Sequence, residues 1–469
     1  MKPRNRSALL TLLVLTSFGL HALTITEPLW LDEAISVKQA QGTVPETISL
    51  VSNDVHTPLY HILLSLWIDA TSTTPWVVRL LSTTFSVLTI YASYRLGADH
   101  FTEQAGLITA ALLTTTEAVI HYGQEARPYS LLLFLAVIST YTYLSLRETQ
   151  RWGAAFTYAA VNTLLLYTHI FGSLLLLAHF LHHSLNKETI WQATDTRLAG
   201  SAVMTTVLFS PWLPTLVNQI KGNSLTWLPR PGLEYVFDSY AVLLGTPAAL
   251  ITAVAVIVWT RPKNQLLLLW GALPPIALIL ASFAIKPAFH HRYILFTLPA
   301  LYLLLAKGIK NLSSDRAKTI LLTLLLLTTA ISPLYPNTLE RDHWDEIAGH
   351  LAENRPVDQP ILIYPNYHQD PLTYTYNPSC FKQRGIYSCN ANTKNIYALG
   401  NNATCCNDSS SLLKTNTTLG DITDHPYWVL DIRQPQNTHD KPLIDYLNTT
   451  HGLTLNTTFT GGIALYTAR

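Results

Sequence analysis

The sequence is poor in charged residues. Only 13% of its 469 residues are Asp, Glu, Lys or Arg, against roughly 25% in an average soluble domain. Neither sign is in excess, because 30 basic residues stand against 29 acidic ones and the formal net charge is +1. This balance offers no basic surface of the kind that binds nucleic acid. So little charge over so long a chain also argues against an ordinary soluble protein.

Long apolar runs take the place of the missing charge. Runs of about 18 residues or more are long enough for a helix that crosses a bilayer. The sequence therefore predicts a multi-pass membrane protein with about eleven spans, at residues 7–26, 77–96, 104–121, 129–146, 153–168, 170–185, 198–217, 236–259, 264–285, 292–309 and 317–335. Residues 153–185 form one run, which is divided at the letters YTHIFG because a single tilted helix would be too long. The basic N-terminus resembles a signal peptide without a good cleavage site and is interpreted as an uncleaved first span.

Lys and Arg are about twice as frequent in the connections on the side of the N-terminus as in the others, which predicts that the N-terminus is inside. An odd number of spans then places residues 336–469 outside. Residues 1–335 are predicted to form an all-α polytopic domain, and residues 336–469 a small α/β extracytoplasmic domain with strands at PILIYP and YWVLDIR. Residues 27–76 are predicted to be a first outer loop with interfacial helices. The predicted location is the cytoplasmic membrane of the cell.

Cysteine is scarce, and all four residues lie in the last quarter of the chain. Clustered cysteines in a polar region predict disulfides in an oxidising compartment, although a metal site is not excluded. The adjacent Cys405 and Cys406 fit no common zinc spacing. Adjacent cysteines rarely pair with each other. The prediction is at least one disulfide among the four, with Cys380–Cys389, which closes a short loop, as the first candidate. Five N-x-S/T triplets in the same region favour its exposure outside, at Asn402, Asn407, Asn416, Asn448 and Asn456.

Ionisable and aromatic residues are concentrated in the predicted outer connections, in the segments LWLDEAIS, SNDVHTPLYH, HYGQEARPYS, YTHIFG and KPAFHHRYILF. Ionisable groups close to the hydrocarbon are costly and are therefore functional candidates. Ordinary explanations exist for each one. Asp32 and Glu33 suit the start of a helix, Arg127 could anchor at the headgroups, Trp30 could belong to an aromatic belt, and His56 and His291 could be interfacial. Their convergence on one side favours a site for a phosphorylated, sugar-bearing lipid.

These segments also resemble, in order and at normal spacing, landmarks of the polyprenyl-phosphate-sugar-dependent glycosyltransferases of the GT-C fold. The resemblance is greatest to protein O-mannosyltransferases and the bacterial aminoarabinose transferase. It covers residues 1 to about 310, through WLDEAIS, SNDVHTPLYHILLSLW, VVRLLSTTFSVLTIYASYRLG, HYGQEARPYSLLLFLAVIST, LLLYTHIFGSLLLL and HHRYILFTLPALYLLLAKGI. Thr57 departs from the family, many members of which have two prolines after the corresponding His.

The resemblance implies transfer of a hexose or pentose from a polyprenyl-phosphate donor to an acceptor hydroxyl, with inversion. The acceptor would be a protein, a glycan or a lipid. Asp32 is the expected general base, with Glu33 supporting it, and Arg127 and Arg292 are expected to bind the phosphate. A divalent ion is left open, with Asp54, His56 and His291 as candidates. The expected substrate-binding residues are Trp30, Asp54, His56, Tyr60, Glu125, Arg127, Tyr129, His169, His291, Arg292 and Tyr293.

Two other classes of function compete with this one. A transporter or a lipid-linked-sugar flippase would place charges near the middle of the bilayer, on broken helices within inverted repeats, and no internal repeat is apparent. A receptor would act through its outer domain, whereas the polar segments here lie far from that domain in the sequence.

Overall fold

The computed structural model describes residues 3–23, 25–186, 193–221, 228–331, 343–356, 359–364, 368–376, 396–398, 426–432, 447–450, 452–459 and 463–468. Its contacts divide the chain into two compact units. The helical unit comprises residues 1–26 and 44–338, and the mixed unit comprises residues 27–43 and 339–469. The predicted boundary at residue 335 and the predicted first outer loop, residues 27–76, stay predictions. By their contacts, residues 27–43 belong to the mixed unit and residues 44–76 to the helical unit.

The helical unit is built almost entirely from helices. They are α1 Pro3–His21, α3 Val44–Ser52, α4 Leu59–Ala70, α5 Pro75–His100, α6 Glu103–Thr115, α7 Glu117–Gly123, α8 Tyr129–Thr149, α9 Trp152–Thr168, α10 Gly172–Leu185, α11 Ala193–Phe209, α12 Leu213–Lys221, α13 Leu233–Leu244, α14 Pro247–Thr260, α15 Gln265–Ala284, α16 His291–Ile294, α17 Leu298–Lys310 and α18 Asp315–Ala330. Helix α2, Leu31–Ala40, lies in the mixed unit.

Five stretches of helix in the described part of the chain are long and apolar enough to cross a membrane, or six if a sharply bent pair is counted as one span. They are Pro75–His100, Tyr129–Thr149, Ala193–Lys221, Gln265–Ala284 and His291–Lys310. The other apolar runs form shorter helices, such as α6 with 13 residues and α18 with 16. The chain is therefore a membrane protein, and the count of eleven spans stays a prediction.

The predicted span 236–259 is not one straight helix. It is divided into α13 and α14, which meet at an angle of 93°. Gly245 ends α13 with φ of 94°, a value that glycine adopts without strain. Thr246 then caps α14, because its Oγ1 accepts a hydrogen bond from the backbone N–H of Ala249 at 3.0 Å, and Pro247 occupies the first turn. The letters GTP thus carry both a stop and a start signal for a helix, which the apolar run concealed.

The division predicted at YTHIFG is confirmed. Helix α9 ends at Thr168 and α10 begins at Gly172. His169 between them has extended backbone, with φ −161° and ψ 130°. Helix α4 has 12 residues, too few to span the hydrocarbon core. Its length suits an interfacial helix, and its position in the interface stays a prediction.

Polar contacts bind the end of the first helix to its neighbours. His21 is buried, and its Nε2 lies 2.9 Å from Ser86 Oγ on α5. Gln124 Nε2 donates to the carbonyl of His21 at 2.7 Å. Arg79 on α5 is fully buried, and its Nη1 donates to the carbonyl of Ile25 at 2.9 Å. These bonds fix the point where the chain leaves α1.

Helices α5 and α6 cross at two glycines, Gly97 and Gly106. A Cβ placed on Gly106 would collide with the backbone of Tyr94 and Ala98 on α5. Small residues allow helix backbones to approach closely in membranes. The glycines therefore set the distance between the two helices.

We expect Gly106→Ala to lower the melting temperature of the purified protein by several degrees, because the added methyl group forces α5 and α6 apart. An overpacked contact of this kind typically costs about 1–3 kcal/mol. Gly153→Ala on α9 is the matched control, since a Cβ there meets nothing within 4 Å. Equal melting temperatures for the two variants would show that the crossing tolerates the wider separation.

The mixed unit contains a five-stranded sheet with two helices, α19 Trp344–Asn354 and α20 Gln369–Tyr376, in addition to α2. The strands are β1 Ile361–Tyr364, β2 Ile396–Ala398, β3 Tyr427–Ile432, β4 Thr454–Phe459 and β5 Ile463–Ala468, in the order β2-β1-β3-β5-β4. β1 pairs in parallel with β2 and β3, whereas β5 pairs antiparallel with β3 and β4. Trp344 and Leu351 of α19 pack with the apolar residues of β1, β3 and β5. The four cysteines lie outside the described residues.

Candidate functional site

The centre of the candidate site is a contact between two buried side chains, Arg127 and His56. Arg127 Nη2 lies 2.7 Å from His56 Nε2. Arg127 precedes α8, and His56 lies between α3 and α4, so two chain turns bring them together. A guanidinium can only donate hydrogen bonds, and Nε2 of His56 therefore accepts. The ring of His56 is neutral in this arrangement.

Electrostatics around His56 agree with a neutral ring. Burial holds the pKa of His56 well below its ordinary value, and the charge of Arg127 lowers it further, with smaller effects from His61, His169 and Arg292. His169 behaves in the same way: burial lowers its pKa to about 3, helped by Arg127 and Arg292. Arg127 and Arg292 thus act on the same two imidazoles.

Aromatic rings surround Arg292. Its guanidinium carbon lies 5.7 Å from the centre of the Tyr129 ring and 5.4 Å from that of Tyr293, distances at which a cation is attracted by the ring face. The Tyr129 and Tyr293 rings are 6.3 Å apart, and His169 lies 5.5 Å from Tyr293. Arg127, Arg292, His56, His169, Tyr129 and Tyr293 are called the arginine cluster below.

The arginine cluster forms where several helices begin or end. Tyr129 is the first residue of α8, His169 lies between α9 and α10, and Arg292 and Tyr293 lie in the four-residue helix α16. Side chains at helix ends on one side of a bundle sit near headgroup level. The predicted convergence of HTPLYH, HYGQEARPYS, YTHIFG and HHRY is therefore found in the helical unit.

Tyr60 contributes to the cluster indirectly. It is fully buried, and its hydroxyl lies 2.7 Å from Ser82 Oγ. Ser82 in turn donates to the carbonyl of Arg127 at 3.4 Å. Gln219 of α12 donates to the carbonyl of His56 at 3.0 Å. Tyr60 and Gln219 therefore support the backbone on either side of the Arg127–His56 contact.

Other expected site residues surround the cluster or lie beside it. Glu125 Oε1 is 2.9 Å from Nε2 of His121. The ring of His291 lies 6.1 Å from that of Tyr122, which in turn lies 5.4 Å from Tyr129. Asp54 Oδ1 accepts a hydrogen bond from the N–H of Val55 at 2.7 Å.

The question of a divalent ion has a partial answer. In the described part of the chain, no group of three or more His, Cys, Asp or Glu side chains is arranged to hold a metal ion. Asp54, His56 and His291, the candidates from the sequence, form no such group. The Arg127–His56 contact occupies Nε2 of His56, which leaves Nδ1 as the ring atom that could bind a metal.

Asp32 and Glu33 lie in α2 of the mixed unit, with Trp30 just before it. Glu33 is buried, and its Oε2 accepts a hydrogen bond from the backbone N–H of Trp30 at 3.4 Å. Glu33 therefore caps its own helix, as the ordinary explanation for an acid in this position requires. Asp32 is half-buried.

Helix α2 packs against the segment that leads into α20. Asp32 interacts electrostatically with His368, whose ring stacks on Trp344 at 5.8 Å. Burial lowers the pKa of His368 to about 3, and Asp32 opposes this shift. Further along α2, Lys38 interacts with Asp370. Helix α2, which carries Asp32, thus interacts electrostatically with His368 and Asp370 of the same unit.

The Lys38–Asp370 contact makes stability depend on pH. Burial raises the pKa of Asp370 from 3.8 to about 6, against the effect of Lys38. Because the pKa of Asp370 is raised in the folded state, its contribution to the stability of the fold is complete below about pH 4. That contribution is lost as the pH rises through about 6. Above that pH Asp370 is ionised, and Lys38 offsets part of the loss.

We therefore expect Lys38→Met to lower the free energy of unfolding by about 1–3 kcal/mol at pH 8 and by much less at pH 5, where Asp370 is protonated. Denaturant unfolding of the purified protein at the two pH values measures the difference. In an Asp370→Asn background the cost of Lys38→Met should be the same at both. A cost independent of pH with Asp370 intact would contradict the contact.

Sequence reasoning missed several supporting residues, notably His61, Ser82, Arg79 and Gln219. His61 is fully buried in α4, and its ring lies 5.7 Å from that of His56. The sequence showed this residue as a histidine at the start of an apolar helix, five residues after His56. Arg79 had a stronger one, because an arginine inside an apolar run is costly unless it is paired.

Comparison with solved structures defines the fold. The chain is similar to ArnT from Cupriavidus metallidurans in the apo state, with 12% identity, a TM-score of 0.64 and coverage of 98% of both chains. The same protein bound to undecaprenyl phosphate matches with 12% identity, a TM-score of 0.62 and coverage of 97% of both. An Archaeoglobus fulgidus oligosaccharyltransferase tethered with an acceptor peptide matches with 13% identity and a TM-score of 0.50, over 80% of this chain and 63% of that one. The chain has the GT-C fold.

The family match is narrower. Residues 55–214 match the family described as dolichyl-phosphate-mannose-protein mannosyltransferase. This stretch contains His56, Arg127, Tyr129 and His169 of the arginine cluster. No curated protein matches the chain by sequence. The resemblance to GT-C fold glycosyltransferases of the mannosyltransferase and ArnT type, drawn from the motifs, is confirmed.

Proposed function

We propose that the protein is a membrane glycosyltransferase that moves a sugar from a polyprenyl-phosphate donor to an acceptor hydroxyl. One observation carries the proposal: two buried arginines meet neutral imidazoles and tyrosine rings at a layer of helix ends. Two buried guanidinium groups can bind an anion through several hydrogen bonds. The donor's phosphate supplies one at the depth where the cluster lies, since its lipid tail stays in the bilayer.

The arginines act on the departing phosphate. The C1–oxygen bond of the donor breaks during transfer, and negative charge develops on the polyprenyl phosphate. Arg127 and Arg292 stabilise that charge, each through a guanidinium that can bind two phosphate oxygens. His56 accepts a hydrogen bond from Arg127 and so fixes its orientation without adding charge. Tyr129 and Tyr293 pack beside the guanidinium of Arg292 and face the sugar or the first isoprene units.

The acceptor is activated by Asp32. Its carboxylate removes the proton from the acceptor hydroxyl as the oxygen attacks C1. A single displacement of this kind inverts the configuration at C1. Glu33 supports Asp32 by capping α2, because the bond from the N–H of Trp30 to Glu33 Oε2 fixes the first turn of that helix. His368 and Lys38 hold α2 from the side of the mixed unit.

The reaction is assigned to the outer face of the cytoplasmic membrane. The Lys and Arg asymmetry of the connections supports a cytoplasmic N-terminus. The cysteines and N-x-S/T triplets of residues 336–469 support an extracytoplasmic C-terminal region. Acceptors on this side include proteins, glycans and lipids.

A transporter or a flippase of lipid-linked sugars is the competing function. Such a protein needs polar groups along a path through the bilayer. The arginine cluster instead lies at helix ends, which suits chemistry at one surface. The bent α13–α14 pair is a broken helix of the sort that transporters use, so the experiment must separate transfer from translocation.

Deleting the gene tests the proposal. Mass spectrometry of lipids and glycans should show that the polyprenyl-phosphate sugar accumulates on the outer leaflet and that one class of glycan or glycolipid loses a sugar. Wild-type protein should restore both, and the Arg127→Ala variant neither. Accumulation confined to the inner leaflet would identify a flippase. Unchanged glycans, glycolipids and lipid-linked sugars would reject both functions.

A further inference from the structure

A polar cavity lies in the helical unit, apart from the arginine cluster. Its volume is about 350 Å³. It forms between the last turns of α5, α8, α10 and α17 and the first turns of α6 and α15. The residues that matter most for its chemistry are His100, Leu144, Glu148, His182, Lys307 and Lys310.

The cavity and the arginine cluster lie at opposite ends of the same helices. Tyr129 begins α8, and Glu148 lies in its last turn, 19 residues on. At 1.5 Å per residue this is a rise of about 28 Å, close to the roughly 30 Å thickness of the hydrocarbon core. Arg292 and Lys310 are separated in the same way along the helical stretch His291–Lys310. The cavity is therefore at headgroup depth on the other side of the membrane.

Charge in the cavity is predominantly positive. Lys307 and Lys310 come from the last turn of α17, and the Nζ of Lys307 donates to the carbonyl of Lys263 at 3.2 Å. Glu148 is the one acid among the described lining residues, and its Oε1 lies 2.8 Å from His100 Nδ1. An anion would meet two lysines whose charge no lining acid fully offsets.

His182 adds a hydrogen-bond donor. Arg147 Nη1 lies 2.9 Å from His182 Nδ1, and the hydroxyl of Tyr143 lies 2.8 Å from the same atom. Because a guanidinium only donates, Nδ1 must accept and the ring is neutral. The ring proton is then on Nε2, where it can be donated to an oxygen. Lysines in the last turn also stabilise α17 through the helix dipole, but this role explains neither the cavity nor the position of His182.

We propose that this cavity binds the phosphate group of an anionic phospholipid on the cytoplasmic side. Lys307, Lys310 and Nε2 of His182 hold the phosphate oxygens. Phe101, Leu144 and Leu266 line the same cavity and take the apolar part of the glycerol and the first methylenes. A lipid suits the position better than a soluble phosphate does, because the cavity lies at the ends of membrane helices. Basic pockets between such helices on the cytoplasmic side are typical sites for acidic headgroups.

Native mass spectrometry of the purified full chain tests the proposal, with phosphatidylglycerol and phosphatidylcholine as probes. The wild type should retain phosphatidylglycerol in preference to phosphatidylcholine. The double change Lys307→Gln and Lys310→Gln should weaken that binding by about thirtyfold. The double change to arginine should preserve it. Lys318→Gln is the matched control, since Lys318 pairs with Asp315 at 2.7 Å and does not line the cavity.

Three results would overturn the proposal. One is equal retention of phosphatidylglycerol by the wild type and the glutamine pair, with similar melting temperatures showing that both are folded. The second is an equal loss of binding in the Lys318→Gln control. The third is displacement of the lipid by inorganic phosphate at equal concentration, which would assign the cavity to a soluble phosphate.

Discussion

Replacing Arg127 with alanine is expected to lower the rate of sugar transfer by about a thousandfold, the upper range for loss of one donor to a developing oxyanion. The side chain is 4% exposed, so water cannot take over its role easily. Its loss removes positive charge from beside the departing phosphate. His56 is left with a neutral ring, and the melting temperature of the variant shows whether it still folds. Steady-state transfer from a polyprenyl-phosphate sugar, with kcat and KM separated, measures the effect.

Two variants sharpen this result. Arg127→Lys keeps the charge but cannot bind two oxygens at once, and its rate should lie between those of the wild type and the alanine variant. Arg95→Ala is the matched control, because Arg95 is an exposed arginine of α5 paired with Asp99 at 2.7 Å. It should transfer sugar at the wild-type rate. If Arg127→Ala matched Arg95→Ala, the cluster would have to be structural.

Replacing Asp32 with asparagine is expected to lower kcat by at least about a hundredfold, the low end for the loss of a general base. The KM for the donor should change little, since the phosphate is held elsewhere. Folding should be nearly unaffected, at a cost of under about 0.5 kcal/mol. Asp32 interacts electrostatically with His368, whose pKa burial lowers to about 3, so His368 is neutral near pH 7 and the substitution breaks no ion pair with it.

The matched control for Asp32 is Asp69→Asn, at the exposed end of α4. This variant should behave as the wild type in rate and stability. Glu33→Gln should reduce the melting temperature more than Asp32→Asn does, because Glu33 is buried and accepts the bond from Trp30. A near wild-type rate for Asp32→Asn would mean that the acidic pair only begins a helix, and the base would have to be sought elsewhere.

Much of the helical unit could be predicted because its signals are local. Apolar runs of sufficient length gave the long helices, and the letters YTHIFG gave the break at His169. The end of α13 was missed because a run of apolar residues looks the same whether the helix continues or bends. Gly245, Thr246 and Pro247 mark the bend, but they are only three adjacent letters within a predicted span of 24 residues.

The residues of the arginine cluster could be predicted from the sequence, but the contacts between them could not. His56, Arg127, His169 and Arg292 are polar residues at the ends of apolar runs, which the sequence displays. The 2.7 Å contact between Arg127 and His56 depends on how four turns meet, and no spacing within one segment encodes that. Tyr60 shows the limit clearly. It was expected among the substrate-binding residues, whereas its hydroxyl lies 2.7 Å from Ser82 Oγ inside the unit.

The sequence also could not show that α2 belongs to the mixed unit. The letters LDEAISVKQA stand directly after the first span and were expected to stay with the outer loop. Their partners, His368 and Asp370, lie more than three hundred positions further along the chain. Charge contacts between such distant segments leave no periodic pattern, and only the folded mixed unit displays them.

Conversion of a defined donor by the purified protein tests the central claim most directly. The protein is incubated in detergent with a synthetic polyprenyl-phosphate sugar and a membrane extract of its own deletion strain, and released polyprenyl phosphate is followed by mass spectrometry. We predict release that depends on time and enzyme, with one sugar appearing on the acceptor for each polyprenyl phosphate released, and little release with Arg127→Ala. If folded wild-type protein leaves the donor intact, or if Arg127→Ala converts it as fast, the protein is not the transferase described above.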